Sequence, residues 1–317
     1  MNRVLVLDKP RGLTSHDVVA RVRRITREKR VGHAGTLDPA ATGVLVVLVG
    51  KATRLAQFFV EMDKAYRGRA VLGVATDTQD ATGKVVASAD PSSLTEEQIV
   101  EAFAAFEGET EQVPPMVSAL KRDGTPLYVL ARRGEVVERE ARRVRISGLR
   151  VLSVDLPEVE FEMRCSKGTY VRTLAADIGD KLGCGAHVGE LARTAVGPFE
   201  LVAATPVNEL TRAGIAEGAV GLSMHEALSF MPELRITEAE EDTLSTGGAI
   251  EVESGRLESA GGTYLRLSPD GIELAAVGKL IGDQSDSVKS DQDEAGEEAA
   301  APGRVRIQPV RVFTEPV

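Results

Sequence analysis

The sequence predicts an α+β fold, with a mixed, mainly antiparallel central sheet flanked by helices and a small β-rich domain after it. Strand-like and helix-like apolar patterns come in runs and do not alternate strictly, which is typical of α+β proteins. A chain of 317 residues suits two domains. Its 43% apolar content is ordinary for a globular protein, and no apolar run approaches the ~20 residues of a membrane span.

The first elements are a strand and an amphipathic helix. The apolar run at residues 3–7 is cut short by charged residues, which indicates a strand and not a signal peptide. A helix is predicted from Thr14 or Ser15 to about Thr26, because apolar residues recur there at helical spacing. Its arginines lie largely off the apolar stripe, so the helix carries a basic surface into the segment 32–43.

Further strands and helices follow before residue 200. We predict strands at residues 44–49, 64–73, 136–140, 143–154 and 158–165. Helices are predicted from Thr95 to about Phe106 and from Thr169 to about Gly183. Thr95 and Gln98 have the spacing of a capping box.

A change of domain is expected near residue 229, which gives domains 1–228 and 229–317. Short strands and turns are predicted over residues 234–250 and 263–281, and a last strand over 304–313. Between them, residues 283–302 are rich in Asp, Glu, Ser, Gly and Ala. Such a composition does not bury enough apolar surface to fold, so we predict an acidic disordered insertion.

Charge is distributed unevenly along the chain. The net charge of −10 at first argues against a nucleic-acid partner. However, residues 1–60 hold eleven basic side chains against four acidic ones, and residues 120–150 hold nine against four. Residues 283–300 hold one against seven. The two basic regions are candidate phosphate-binding surfaces, and the alternative is that they are solvated faces.

Signals for metal and phosphate sites are weak. Cys165 and Cys184 show no paired spacing, which fits a reducing cytosol and gives no sign of a zinc site. The four histidines form no metal-ligand pattern, so we expect no metal. The run from Gly43 to Lys51 resembles a phosphate-binding loop but has the wrong glycine spacing.

The segment 32–43, Gly-His-Ala-Gly-Thr-Leu-Asp-Pro-Ala-Ala-Thr-Gly, is the first candidate site. Its glycines permit unusual backbone angles and close approach, and Pro39 restricts Asp38 to an extended backbone. An accessible acid five residues after His33 suggests a reaction centre. Asp-Pro alone is more typical of a helix start, with Asp38 as the N-cap, and that interpretation stays open.

The segment 165–174 is the second candidate site. A predicted strand ends there, Gly168 turns the chain, and Tyr170 and Arg172 fall in the first turn of a helix. Arg172 therefore offers five donors at a helix end that is already positive, and it could pair with a carboxylate from elsewhere in the fold. The alternative is a core Tyr170 and a solvated Arg172.

Together these segments resemble the TruB family of tRNA pseudouridine synthases, densely over about residues 3–200. The motifs that match in family order are Lys9-Pro10 with Gly12, Thr14 and Ser15, residues 32–43, Lys64-Ala65-Tyr66 with Leu72-Gly73, residues 76–80 with Gly83, Pro114-Pro115 with residues 118–121, residues 165–174 and residues 191–194. Val117 and Ala192 depart from the pattern, at positions where many members carry an aromatic residue and an arginine.

The resemblance implies the pseudouridine synthase fold, with a PUA-like RNA-binding domain at 229–317. It implies three catalytic residues. Asp38 would be the nucleophile that attacks an extruded uridine, and Arg172 would pair with it. Tyr66 would stack on the base and pass a proton. The glycines of segment 32–43 would let the nucleotide approach Asp38. Whether Asp38 attacks the base or the sugar, or assists a glycal route, stays open.

Four further residues are implied to bind substrate. Tyr170 and Leu191 would line the pocket, although Leu191 as plain core is the alternative. His33 would stand at its entrance, and Lys9 belongs to the first motif. Asp80 would orient its neighbours through hydrogen bonds. Since the product is an isomer of the substrate, the resemblance implies no cofactor and no metal.

The implied substrate is the T stem-loop of tRNA, whose uridine 55 would be modified. We expect a cytoplasmic monomer with no membrane contact and no evident protein partner. A tRNA chaperone, in which RNA binding and folding are the main role, is the alternative function. A hydrolase that uses His33 and Asp38 as an acid–base pair is a third, although no water-activating partner is evident.

Overall fold

The structure is a computed structural model that describes residues 1–122, 124–257, 263–281 and 303–314. The strands in chain order are β1 (Arg3–Lys9), β2 (Val31–His33), β3 (Thr42–Val49), β4 (Lys64–Leu72), β5 (Val74–Thr76), β6 (Val85–Ser88), β7 (Gly108–Gln112), β8 (Lys121–Arg122), β9 (Thr125–Pro126), β10 (Arg142–Asp155), β11 (Glu158–Cys165), β12 (Ala186–Val196), β13 (Phe199–Glu200), β14 (Thr205–Pro206), β15 (Glu233–Arg235), β16 (Ile250–Glu253), β17 (Tyr264–Ser268), β18 (Ala276–Ile281) and β19 (Arg304–Val312). The helices are α1 (Ser15–Thr26), α2 (Ala56–Val60), α3 (Glu96–Ala104), α4 (Leu127–Arg132), α5 (Val171–Lys181), α6 (Arg212–Ala216), α7 (Met224–Ala227) and α8 (Glu238–Ser245). The predicted insertion 283–302 lies outside the described residues.

A large mixed sheet forms the first layer, with the strand order β14-β1-β3-β12-β4-β11-β10-β7. Antiparallel pairing joins β12 to β4, β4 to β11, β11 to β10 and β10 to β7. Parallel pairing joins β12 to β3 and β1 to β14. The sheet is therefore mainly antiparallel, as the sequence predicts. At its centre, β3 begins with the last two residues of the segment 32–43, and β11 ends at Cys165, the first residue of the segment 165–174.

The burial of each strand follows its sequence pattern. Strand β11 alternates, with Val159, Phe161 and Met163 buried between more exposed glutamates, so one of its faces is apolar. Strand β3 is apolar without alternation and is buried from Gly43 to Val49, as a central strand covered on both faces requires. Helices α3 and α5 pack over the apolar face, where Phe103 meets Phe161.

Helix starts follow local capping. Thr14 caps α1 through Asp17, and Thr95 caps α3 through Gln98, each in a reciprocal capping box. Helix α5 begins at Val171, two residues later than predicted, because the positive φ of Gly168 extends the turn.

Two sequence-based assignments are wrong, and one open alternative is excluded. Residues 136–140 are not a strand: no neighbouring strand pairs with them in the described structure, and Val136 is largely exposed. Residues 234–250 hold helix α8, whose N-cap Thr237 forms a capping box with Glu240. Asp38 caps no helix, because the chain turns after Pro39 and enters β3.

The chain divides into two compact units. One consists of residues 5–47 and 56–212, and the other of residues 1–4, 48–55 and 213–317. The second unit contains a separate five-stranded sheet in the order β15-β17-β18-β19-β16, built around a core that includes Leu234, Leu244 and Leu267. The predicted domain boundary at 228/229 stays a prediction. In the part of the chain that the structure describes, no helix is long and apolar enough to cross a membrane.

Candidate active site

Asp38 lies in the loop between β2 and β3, and helix α1 holds the backbone of this loop. The hydroxyl of Ser15, the first residue of α1, accepts a hydrogen bond from the Leu37 N–H at 2.9 Å and donates one to the Leu37 carbonyl at 3.2 Å. The Gly12 N–H donates to the Pro39 carbonyl at 2.7 Å. The backbone on both sides of Asp38 is thus anchored, while its carboxylate keeps 40% of its surface exposed.

The glycines of this loop serve the protein backbone. Gly35 and Gly43 both have φ +98°, where side chains are strained. A Cβ on Gly43 would lie 2.2 Å from the Arg193 carbonyl oxygen, because Gly43 and Arg193 are register partners on β3 and β12. Gly43 is therefore required by the close approach of strand β12, and the expectation that the glycines of this loop let a nucleotide approach Asp38 stays a prediction.

Arg172 makes the ion pair that the resemblance implies. Its Nε lies 2.8 Å from Asp38 Oδ2, and its side chain is 5% exposed. The remaining nitrogens donate to the carbonyls of Thr78 and Val117, both at 2.8 Å. Each edge of the guanidinium is engaged, so its orientation toward Asp38 is set by two other loops of the fold.

Gln112 holds the start of the helix that carries Arg172. Its buried side-chain amide accepts from the Tyr170 N–H at 3.0 Å and donates to the Tyr170 carbonyl at 3.3 Å. Tyr170 is the N-cap of α5 and makes no side-chain cap of its own. The end of β7 therefore fixes the first turn of α5, and with it the position of Arg172.

Asp80 organises the loop next to Arg172. Its Oδ1 accepts hydrogen bonds from the Thr78 hydroxyl at 2.8 Å, the Thr82 N–H at 2.9 Å and the Thr82 hydroxyl at 2.6 Å. Its Oδ2 lies 3.9 Å from Arg172 Nη1. These hydrogen bonds are the geometry that the predicted orienting role of Asp80 requires.

A pocket opens beside Asp38. It is lined by Asp38, Ala40, Ala41, Asp80, Ala81, Arg172, Val188, Gly189 and Leu191. Leu191 supplies the largest apolar side chain of this lining. The pocket therefore presents one accessible carboxylate, held by a buried guanidinium, against small and apolar walls. This arrangement suits attack by a carboxylate on a flat, partly apolar ligand.

Tyr66 and Tyr170 are both partly buried near this carboxylate, which acts electrostatically on each. Burial raises the pKa of both phenols. The positive charge of the Arg193 side chain opposes the effect of burial on the pKa of Tyr66. For Tyr170, the positive charge of Arg172 is one of the influences that lower the pKa against the effect of burial.

Lys9 and His33 take less direct places. Lys9 is completely buried and donates to the carbonyls of Pro10 at 3.0 Å and Leu13 at 2.8 Å, while burial lowers its pKa to about 8. It supports the turn after β1, and its substrate contact stays a prediction. His33 packs edge-on against His16 with ring centroids 5.6 Å apart, and burial lowers its pKa.

Two buried polar residues of the site were not singled out from the sequence. Gln112 precedes Val113-Pro114-Pro115, and Arg193 follows Leu191 in the last motif. Both are strand residues at positions that face the interior, and a polar residue there is the available sequence signal. The residues that the structure describes contain no cluster of three or more potential metal ligands.

Family models and relatives agree along most of the chain. A TruB family pseudouridylate synthase N-terminal model matches residues 23–171, and a tRNA pseudouridylate synthase B C-terminal model matches residues 172–220. The tRNA pseudouridine synthase B of Geobacter sulfurreducens is 46% identical over 92% of this chain and 97% of its own length. Those of Syntrophotalea carbinolica and Opitutus terrae are 48% and 50% identical over 74% and 66% of this chain, and 78% and 87% of their own lengths.

Solved structures share the fold. A chain of a Cbf5-Nop10-Gar1 complex matches with a TM-score of 0.72 and 26% identity, over 99% of this chain and 85% of that one. A chain of an H/ACA RNP bound to a substrate RNA containing 2′-deoxyuridine matches with a TM-score of 0.70 and 25% identity, over 99% and 86%. The predicted fold class is confirmed, and the separate five-stranded sheet fits a PUA-like domain.

Proposed function

Because the chain belongs to the TruB family of pseudouridylate synthases, we propose that it is a tRNA pseudouridine-55 synthase acting on the T stem-loop. One observation carries the proposal most directly: the accessible carboxylate of Asp38 is paired at 2.8 Å with the buried Arg172 inside a small apolar pocket. A carboxylate needs no general base to act as a nucleophile.

The reaction needs little besides a nucleophile and controlled proton transfer. The C1′–N1 bond of uridine breaks, the base turns, and a C1′–C5 bond forms. A proton leaves C5, and N1 gains one from solvent, so substrate and product have the same atoms and electrons. Asp38 attacks the nucleotide and is released when the new glycosidic bond is complete.

The remaining pocket residues orient the nucleotide. The target uridine must leave its stack to reach Asp38, since enzymes that act on a base extrude it. Leu191 forms the apolar wall of the pocket, and we propose that Tyr170, the N-cap of the helix that carries Arg172, contacts the bound base. Tyr66 stacks on the base, and its phenolate accepts the proton from C5. His33 occupies the place that the extruded nucleotide leaves in the RNA loop.

The basic face of α1 supports binding of an RNA backbone. Arg23, Arg24, Arg27, Lys29 and Arg30 are exposed on and after this helix. RNA stem-loops are recognised through backbone shape and splayed bases, which suits a basic surface next to a pocket. Residues 120–150 and the PUA-like domain at 229–317 provide the further RNA contacts that we propose.

The decisive experiment treats a T stem-loop transcript with purified protein and detects pseudouridine by chemical labelling and mass spectrometry. The native protein should convert the single T-loop uridine, whereas Asp38→Asn should give no product while RNA affinity stays within about threefold. Near-normal turnover by Asp38→Asn would overturn the proposed mechanism.

The same two proteins also test whether a chaperone role is separate from the enzymatic one. If tRNA folding were the main role, Asp38→Asn would refold a misfolded tRNA as fast as the native protein does, and product formation would be absent from both. Free uracil among the products would instead support hydrolysis.

The RNA surface has its own test. Binding should weaken with rising salt, because each phosphate contact releases counterions. Replacing Arg24 and Arg30 with glutamine should reduce the slope of log affinity against log salt by about one per lost phosphate contact. An unchanged slope would count against α1 as part of the RNA-binding surface.

A further inference from the structure

Arg193 is a fully buried cation beneath the candidate active site. It is 1% exposed and lies on β12, the strand between β3 and β4. It donates from Nε to the Val44 carbonyl at 2.8 Å, from Nη1 to the Thr36 carbonyl at 3.3 Å and from Nη2 to the Gly35 carbonyl at 3.2 Å. Two of these three carbonyls belong to the loop that contains Asp38.

No carboxylate pairs with Arg193 among the residues that the structure describes, although Arg172 has Asp38 at 2.8 Å. A buried charge without a counterion is unfavourable and is retained only where other groups solvate it. Backbone carbonyl dipoles solvate this guanidinium. Its charge acts outward, since it contributes to the lowered pKa values of Lys9, His33 and Lys64.

The neighbour of Arg193 on the other side is Tyr66. The two residues are partners in the antiparallel register of β12 and β4, so their side chains lie on the same face of the sheet, and the guanidinium acts electrostatically on the phenol. The charged and titratable groups that act on Tyr66 are Arg193 from β12, Cys165 from β11 and Asp38 from the loop. Of these three, only Arg193 favours the phenolate, against the effect of burial.

We propose that Arg193 is a positioning residue that fixes the Gly35–Thr36 backbone of the Asp38 loop and stabilises the phenolate of Tyr66, the form that accepts a proton. One buried guanidinium therefore couples the nucleophile loop to the proton-transfer residue. The inference rests on the proposed roles of Asp38 and Tyr66 and adds a residue through which both are organised. Lysine does not replace it, because only a planar fork reaches the three carbonyls.

The first test measures Tyr66 directly. The chain has four tyrosines and no tryptophan, so phenolate absorbance is readily followed. Subtracting the titration curve of the Tyr66→Phe variant from that of the protein with all four tyrosines isolates the titration of Tyr66. In Arg193→Met the Tyr66 midpoint should rise by about one pH unit, and in Arg193→Lys by clearly less, because the charge is kept. An unchanged midpoint in Arg193→Met would overturn the proposed coupling.

The second test measures single-turnover formation of pseudouridine in a T stem-loop across pH. Arg193→Met should lower the rate about 100-fold while RNA affinity stays near that of the native protein. The rising limb of its pH–rate profile should move to higher pH together with the Tyr66 titration. Arg212→Met, at an exposed arginine outside the site, is the matched control and should match the native protein.

The outcomes separate a positioning role from a purely structural one. A rate loss with an unmoved pH profile would overturn the coupling to Tyr66 and leave only support of the loop. If thermal denaturation shows that Arg193→Met is unfolded, Arg193→Lys decides: it should keep the Tyr66 titration and lose rate, and native rates would overturn the proposal. If the native protein forms no pseudouridine, the proposed function fails, whereas the Tyr66 titration still decides the coupling.

Discussion

The two sides of the loop at residues 32–43 use arginine in opposite ways. On the pocket side, Arg172 pairs with the half-exposed Asp38 and donates to two carbonyls of other loops. On the buried side, Arg193 donates to three carbonyls, two of them in the loop itself, and has no carboxylate partner in the described structure.

The difference separates reactivity from support. A guanidinium beside an accessible carboxylate fixes the direction of a group that meets substrate. A guanidinium surrounded by carbonyls fixes backbone and supplies a constant positive potential to its neighbours. One face of the loop therefore carries the group that meets substrate, and the other face is where the backbone is fixed. Substitutions on the two faces should have different effects.

The largest effect is expected on the pocket side. Arg172→Met should lower the single-turnover rate by about 10³-fold, because Asp38 loses its counterion and the Thr78 and Val117 carbonyls lose their donor. Arg172→Lys should recover part of the loss, since it keeps charge but not the fork. Rates within threefold of native for both variants would show that the ion pair does not organise Asp38.

A stability effect of about 3–5 kcal/mol is expected on the buried side for Gly43→Ala. The new methyl group would strain a backbone at φ +98° and meet the Arg193 carbonyl at 2.2 Å. Gly32→Ala is the matched control, because nothing lies within 4 Å of its added carbon and its φ is ordinary. Chemical denaturation measures both, and equal stabilities would contradict the close β3–β12 contact.

A smaller effect is expected at Gln112, which supports the pocket side from β7. Gln112→Met leaves the Tyr170 N–H and carbonyl without their partners, so stability should fall by about 2 kcal/mol and turnover by about tenfold. Gln112→Glu keeps the acceptor for the Tyr170 N–H, so its stability and turnover should lie between those of the native protein and those of Gln112→Met. Denaturation and single-turnover rates test the order, which a reversed ranking would contradict.

The smallest effect lies away from both faces, at the half-buried Asp177 of α5. Burial, followed by the charge of Asp180, raises the pKa of Asp177 to about 6. The folded state thus binds more protons than the unfolded state between about pH 4 and pH 6, and stability falls as the pH rises through that window.

Asp177→Asn removes this dependence and should stabilise the protein by about 1 kcal/mol at pH 7, a figure reduced for solvent screening of a half-exposed group. The difference from the native protein should disappear near pH 4. Denaturation at both pH values measures it, and activity should be unchanged, since Asp177 does not line the pocket.

Local signals in the sequence determined most elements correctly. The capping pairs at Thr14 and Thr95 and the apolar run in β3 each depend on neighbours within a few residues. Residues 136–140 were misassigned because strand propensity alone provides no pairing partner. Helix α8 was missed although Thr237 and Glu240 have the spacing of a capping box.

The sequence by itself identified Asp38, Tyr66 and Arg172 as a set, since their motifs stand in family order. The tertiary structure decided what holds them. Arg193 reaches the Gly35–Thr36 backbone across some 157 residues of chain, and Gln112 reaches Tyr170 across 58. Local patterns reveal which residues have suitable chemistry, but hydrogen bonds to distant backbone groups exist only once the sheet has brought its strands into register.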